Sequence, residues 1–154
     1  MTNPGDRHNP TRPLIGVGGV VWHQNKVLLI RRGKPPKAGE WSLPGGAQEL
    51  GETVVETLIR EVFEETSIRI NNIEFLEIVD LIVQGEEHGK PRYHYTLIDF
   101  SADAAQQSTR PTPGDDAIDS IWADPDALET YGLWEKTIEV IRKSQQQRMA
   151  RLSD

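Results

Sequence analysis

The chain has 154 residues, enough for one domain with its own hydrophobic core. Its formal net charge is −7, with 17 Lys and Arg against 24 Asp and Glu, which argues against a face built for the phosphate backbone of a nucleic acid polymer. It has no cysteine, which excludes disulfides, zinc–thiolate sites and a cysteine nucleophile.

Residues 1–12 read as a flexible polar lead, 13–149 as a single domain and 150–154 as a tail. Leu14 to Trp22 reads as a buried strand whose glycines allow a bulge or close ligand approach. His23 to Asn25 is a turn, and Lys26 to Arg32 is the returning strand of a hairpin. Arg31 and Arg32 alternate across that strand, so only one of them faces a cleft. The following loop, stiffened by Pro35 and Pro36, carries Lys34 and Lys37. With Arg32 these are candidate substrate-binding cations, set against an ordinary exposed loop. Trp41 reads as core packing, and Ser42-Leu43 as a short strand.

Pro44, Gly45 and Gly46 break regular structure and let the backbone approach a ligand or ion. Thr53 is the expected N-cap of the next helix, with Glu56 completing a capping box. At about 100° per residue, Val54, Leu58, Val62, Val55, Ile59 and Phe63 share one half-turn. Glu61, Glu64 and Glu65 form a narrow stripe at its border. Opposite-charge pairs such as Arg60 with Glu64 offer about 0.2–0.5 kcal/mol each, and Glu61 facing Glu64 and Glu65 costs a similar amount. The two nearly cancel. A bound hard cation explains the stripe, since carboxylate oxygens are its preferred ligands; a solvated charged face is the alternative.

Ile73 to Val83 and Arg92 to Phe100 read as strands around a polar turn. The second puts Tyr93, Tyr95 and Leu97 on one face and His94, Thr96 and Ile98 on the other. A base could stack on either tyrosine, and His94 reads as a hydrogen-bonded sheet residue. Ser101 to Pro113 is expected to be a mobile loop, and Ala117 to Trp122 a short strand. A short helix from Asp124 to Glu129 and a C-terminal helix from Leu133 to Met149 follow. Strands and helices interleave without a repeating βαβ unit, which favours an α/β fold, an α/β/α sandwich on a mixed sheet. With no apolar leader and no spanning run, the expected location is cytoplasmic, without a membrane partner.

The spelling from Gly46 through five residues to Glu52, then seven residues to Arg60-Glu61-Val62-Phe63-Glu64-Glu65 and on to Ile68, resembles the Nudix box. One position departs from it: Ser67 stands where the family has glycine. The likeness extends from Pro13 to about Ile141 and implies the Nudix-type sandwich. It implies a magnesium or manganese shell from Glu61, Glu64, Glu65 and the Gly45 carbonyl, with phosphates beside Gly46. It also implies Glu64 or Glu61 as general base and Arg60 paired with Glu52. Asp116, six positions before Trp122, stands where relatives carry a further acid that assists metal binding or catalysis, and Asp115 is its neighbour. The implied reaction is hydrolysis of a nucleoside diphosphate linked to a second group. The flanks look most like the small ADP-ribose pyrophosphatase branch, which gives AMP and ribose 5-phosphate. A triphosphate pyrophosphohydrolase that clears oxidised nucleotides and a non-catalytic nucleotide sensor are the alternatives, and a homodimer stays open. At Ser67 a left-handed helix end would cost serine about 1 kcal/mol. The alternatives to that cost are a helix that ends one residue off, or one that uses Asn71 or Asn72.

Overall fold

The computed structural model describes residues 7–35, 37–105 and 110–152. Residues 1–6 of the expected lead, Pro36, residues 106–109 of the expected loop and residues 153–154 of the expected tail lie outside them. The elements are β1 (Leu14–His23), β2 (Lys26–Arg32), β3 (Trp41–Ser42), β4 (Gly45–Ala47), α1 (Val54–Thr66), β5 (Ile70–Gln84), β6 (Pro91–Ala104), β7 (Ala117–Ala123), a 3₁₀ segment (Pro125–Tyr131) and α2 (Glu135–Leu152).

The strands form one sheet in the order β3-β2-β1-β6-β5, with β4 paired to β1 and β7 to β2. β1 and β6 run parallel, and the other pairs are antiparallel, so the sheet is mixed. Two-residue alternation divides the core between its faces. Val17, Val21 and Leu28 pack with Leu58 and Val62 of α1. Val20, Trp22, Val27 and Leu29 pack with Val140 and Ile141 of α2. Central strands covered on both faces read as unbroken apolar runs, as VVW and VLLI do here. The result is the α/β/α sandwich expected. Trp22 also donates its indole N–H to Ser144 of α2 at 2.8 Å. No described helix is long and apolar enough to cross a membrane.

Thr53 caps α1, its hydroxyl accepting the Glu56 N–H at 3.1 Å. At the other end Ser67 itself takes the left-handed conformation, φ 63° and ψ 14°, and its N–H reaches the Phe63 carbonyl. Asn72 is also at positive φ, but in a bulge of β5 rather than at the helix end. Ser67→Gly should therefore stabilise the protein by about 1 kcal/mol, the strain relieved less the entropy glycine adds to the unfolded chain. A thermal melt should show the midpoint about 2–4 °C higher, and an unchanged or lower midpoint would contradict the strain.

Three segments differ from expectation. Gly45, Gly46 and Ala47 do not merely break the chain; they pair with Gly18, Val17 and Gly16 of β1. β6 continues to Ala104, into the expected loop, because its parallel pairing with β1 runs on through Asp103. α2 continues through residues 150–152 of the expected tail, where Arg151 reaches the Glu74 carboxylate. The apolar half-turn of α1 is also only partly covered. Leu58 and Val62 are fully buried, whereas Val55, Ile59 and Phe63 remain 37–42% exposed.

Candidate active site

The glycine turn and α1 meet because two residues there lack a Cβ. Gly45 has φ 155°, and a Cβ on it would stand 2.1 Å from the Val17 carbonyl oxygen. A Cβ on Gly46 would stand 2.4 Å from the Glu61 carboxyl carbon. The β4 backbone can therefore lie against two carboxyl groups of α1, and the Gly45 N–H donates to Glu65 Oε1 at 2.7 Å. Burial pushes the Glu65 carboxyl up to about 8, against the opposing pull of that N–H. Burial also raises Glu61, although Arg60 beside it favours the ionised form. Glu64 is the exposed member of the stripe.

One carboxylate oxygen each from Glu61, Glu64 and Asp115 lie within 4.8 Å of one another. Asp115 joins the cluster, and Asp116 does not. The loop before β7 is tied to the end of α1 by the Gly114 N–H to the Glu65 carbonyl at 3.1 Å and the Thr112 N–H to the Thr66 carbonyl at 2.8 Å. Asp115 sits there at φ 52°. Asp116 turns instead toward the loop after β2, where its carboxylate pairs with the Lys34 ammonium at 2.8 Å. Its carbonyl accepts the Gly33 N–H at 2.7 Å. With Asp115 in a left-handed turn and Asp116 held by Lys34, Asp115 is the one of the two acids that joins the α1 carboxylates.

Arg60 joins the loop to the helix. Its Nε and Nη2 donate to both oxygens of Glu52, at 2.7 and 2.9 Å. Its Nη1 reaches Glu61 at 2.8 Å and Glu64 at 3.2 Å, and Nη2 also reaches the Ala47 carbonyl at 3.2 Å. Glu52 further accepts the Glu49 N–H and the Thr57 hydroxyl. With Arg60 the leading cause, its carboxyl is held down to about 2, from 4.5 in the free side chain. A depressed carboxyl contributes stability that is full above pH 4.5 and disappears as pH falls toward about 2. Thermal melts of the protein and of Glu52→Gln should therefore converge over that interval. A midpoint difference that stays constant across it would refute the linkage.

The loop cations separate. Arg31 is exposed and donates to the Gly39 carbonyl at 2.9 Å, whereas Arg32 lines a pocket on the α2 side of the sheet. Lys34 is occupied by Asp116. Lys37 also lines the pocket, its ammonium 4.4 Å from the centre of the Trp134 ring. The pocket encloses about 150 Å³, between the backbones of Gly16, Gly18, Gly45 and Gly46 and the side chains of Tyr95, Leu97, Val79, Trp41 and Trp134. Glu61 presses on the back of Gly46, so the pocket and the carboxylate cluster share a wall. Tyr95 faces the pocket, and Tyr93 packs edge-on against His8 instead. His94 is not among the residues that line it.

Asp99 and Trp134 line this pocket without having been singled out from the sequence. The signal for Asp99 was present: the alternation through Tyr93, Tyr95 and Leu97 continues to it and sets a charge directly after three uncharged residues. Trp134 had no local signal, because α2 brings it there from the far end of the chain. The donor set at the cluster is entirely carboxylate oxygen, which suits a hard divalent cation such as magnesium. Such a cation would offset the mutual repulsion of Glu61, Glu64 and Asp115.

The description "NUDIX domain" belongs to the family whose pattern matches residues 12–143. An "ADP-ribose pyrophosphatase" of Methanocaldococcus jannaschii is 37% identical over 112 residues, 73% of this chain, which spans only 62% of that relative's length. Among solved structures, a MutT NUDIX hydrolase from Burkholderia pseudomallei superposes with a TM-score of 0.70 at 27% identity, over 86% of this chain and 98% of that one. The NUDIX domain of NrtR from Shewanella oneidensis, solved with ADP ribose, superposes at 0.73 over 89% of each chain. At 22% identity that likeness bears on fold alone.

Proposed function

The chain belongs to the Nudix family, and from that premise we propose that it hydrolyses the pyrophosphate link of a nucleoside diphosphate joined to a second group, with ADP-ribose first in rank and magnesium, or manganese, as cofactor. The observation that carries this reading is the convergence of Glu61, Glu64 and Asp115 within 4.8 Å, backed by Glu65 on the Gly45 N–H, at the wall of a pocket of about 150 Å³. The likeness to the archaeal ADP-ribose pyrophosphatase supports the substrate ranking.

A dication held there supplies charge neutralisation at the phosphates and makes a nearby water more acidic. Glu61, Glu64 and Asp115 would hold it, with Glu65 against the β4 backbone. Glu64, the most exposed of the box carboxylates, takes a proton from the attacking water. Arg60 is a positioning residue: by gripping Glu52, Glu61 and Ala47 together it fixes the loop to the helix. Arg32 and Lys37, at the pocket, neutralise the phosphates on the far side. Water adds to one phosphorus, the P–O–P bridge breaks, and AMP and ribose 5-phosphate leave.

A turnover screen over ADP-ribose, other nucleotide sugars, dinucleoside polyphosphates and oxidised triphosphates, with magnesium and with chelator, tests the proposal. AMP and ribose 5-phosphate formed only with the metal would uphold it. A nucleoside monophosphate plus pyrophosphate from a triphosphate would move the substrate. Turnover indifferent to chelator would remove the mechanism.

A further inference from the structure

The pocket floor holds one carboxyl group that the protein itself leaves unsatisfied. Asp99 of β6 is only 6% exposed, yet it makes no hydrogen bond or ion pair with the described residues. Buried polar groups are almost always paired, so a carboxyl that faces the pocket without a protein partner is open to a ligand. Its neighbours along the strand on that face, Tyr95 and Leu97, are the sort of residue that packing alone would select there. Space is also kept open for it: a Cβ on Gly18 would stand 2.8 Å from Asp99 Oδ1.

Position gives the orphan a purpose. Asp99 pairs across the sheet with Gly18, and Gly18 with Gly45. Two strand spacings, about 10 Å, separate Asp99 from the glycine that holds Glu65. A nucleoside whose phosphate lies at the carboxylate cluster would bring its base to Asp99, between Tyr95, Trp41 and Trp134.

We propose that Asp99 reads the base, its carboxyl pairing with the exocyclic amino group of adenine and the ring nitrogen beside it. This rests on reading the site as one for nucleoside diphosphates. Burial, with Glu77 opposite on β5 as the lesser cause, pushes the Asp99 carboxyl up to about 7. The neutral acid offers one donor and one acceptor side by side. Adenine presents the complementary pair, a donor next to an acceptor. Purine that lacks the amino group keeps the ring nitrogen and loses the donor, whereas hypoxanthine and guanine each set an oxygen acceptor beside a ring N–H, a pair that the neutral acid also meets by exchanging its two oxygens.

The test is equilibrium binding of AMP, purine ribonucleoside 5′-monophosphate and GMP, by calorimetry, to the full chain and to Asp99→Asn and Asp99→Leu. An asparagine amide keeps one donor and one acceptor and pairs with adenine in two bonds; leucine keeps the volume and loses both. The protein should prefer AMP to the purine nucleotide, which lacks the amino donor, by about tenfold. Asp99→Asn should keep that preference, and Asp99→Leu should bind the two alike while melting no lower than the parent. A ratio of AMP to purine-nucleotide affinity unchanged in Asp99→Leu overturns the proposal, as does a parent protein that binds none of the three. Gain of GMP preference in the parent, lost in Asp99→Asn, also overturns it, because an ionised carboxylate would then be reading two donors. None of these readouts needs turnover, so failure of the hydrolase reading in the substrate screen is seen separately.

Discussion

Glu64→Gln should lower the proposed magnesium-dependent turnover at least a hundredfold, on the order expected for loss of a general base or a metal-binding carboxylate, and leave the fold intact. The side chain is exposed, and its protein partner is Arg60 at 3.2 Å. Exposed ion pairs of this kind contribute at most about 1 kcal/mol, and glutamine keeps the size of the group. Arg60 retains its two bonds to Glu52 and its bond to Glu61. The variant therefore separates chemistry from architecture. Turnover at saturating magnesium, measured beside a thermal melt, decides it: near-normal turnover removes Glu64 from the mechanism, and a collapsed melt makes it structural.

The second large effect falls on stability. Gly45→Ala places a Cβ 2.1 Å from the Val17 oxygen and 2.7 Å from the Gly18 Cα, both backbone atoms of the central strand. Neither can yield without parting β4 from β1. Strain and overpacking together should cost about 3 kcal/mol or more, which lowers the melting midpoint by roughly 10 °C in a chain of this size. Gly39 provides the control. It too has positive φ, 85°, but a Cβ there meets nothing within 4 Å. Gly39→Ala should thus show only the conformational cost, about 1–2 kcal/mol. Equal losses at the two positions would mean that the close approach of β4 to β1 is not what requires glycine at Gly45.

Much of the site was readable because it is local. A helix fixes its own periodicity, so the spacing of Glu61, Glu64 and Glu65 placed three carboxyls at one border of α1 before any packing was known. Thr53 capping Glu56 is likewise a matter of three residues. The alternating and unbroken apolar runs gave the strands, and their interleaving with the helices gave the sandwich.

What the sequence by itself determined, then, is the longer strands and helices, the carboxylate stripe and the glycine turn that faces it, because each depends on residues close along the chain. Tertiary structure alone decided the rest. It chose Asp115 over Asp116 and Arg32 over Arg31, because the turn tied to α1 and the bulge between β2 and β7 aim one of each pair inward. It drew Gly45 to Ala47 into the sheet, brought Trp134, just before α2, to the pocket, and left Asp99 buried without a partner among the described residues. Each of these outcomes is set by strand register and by contacts between distant segments, to which local periodicity is blind.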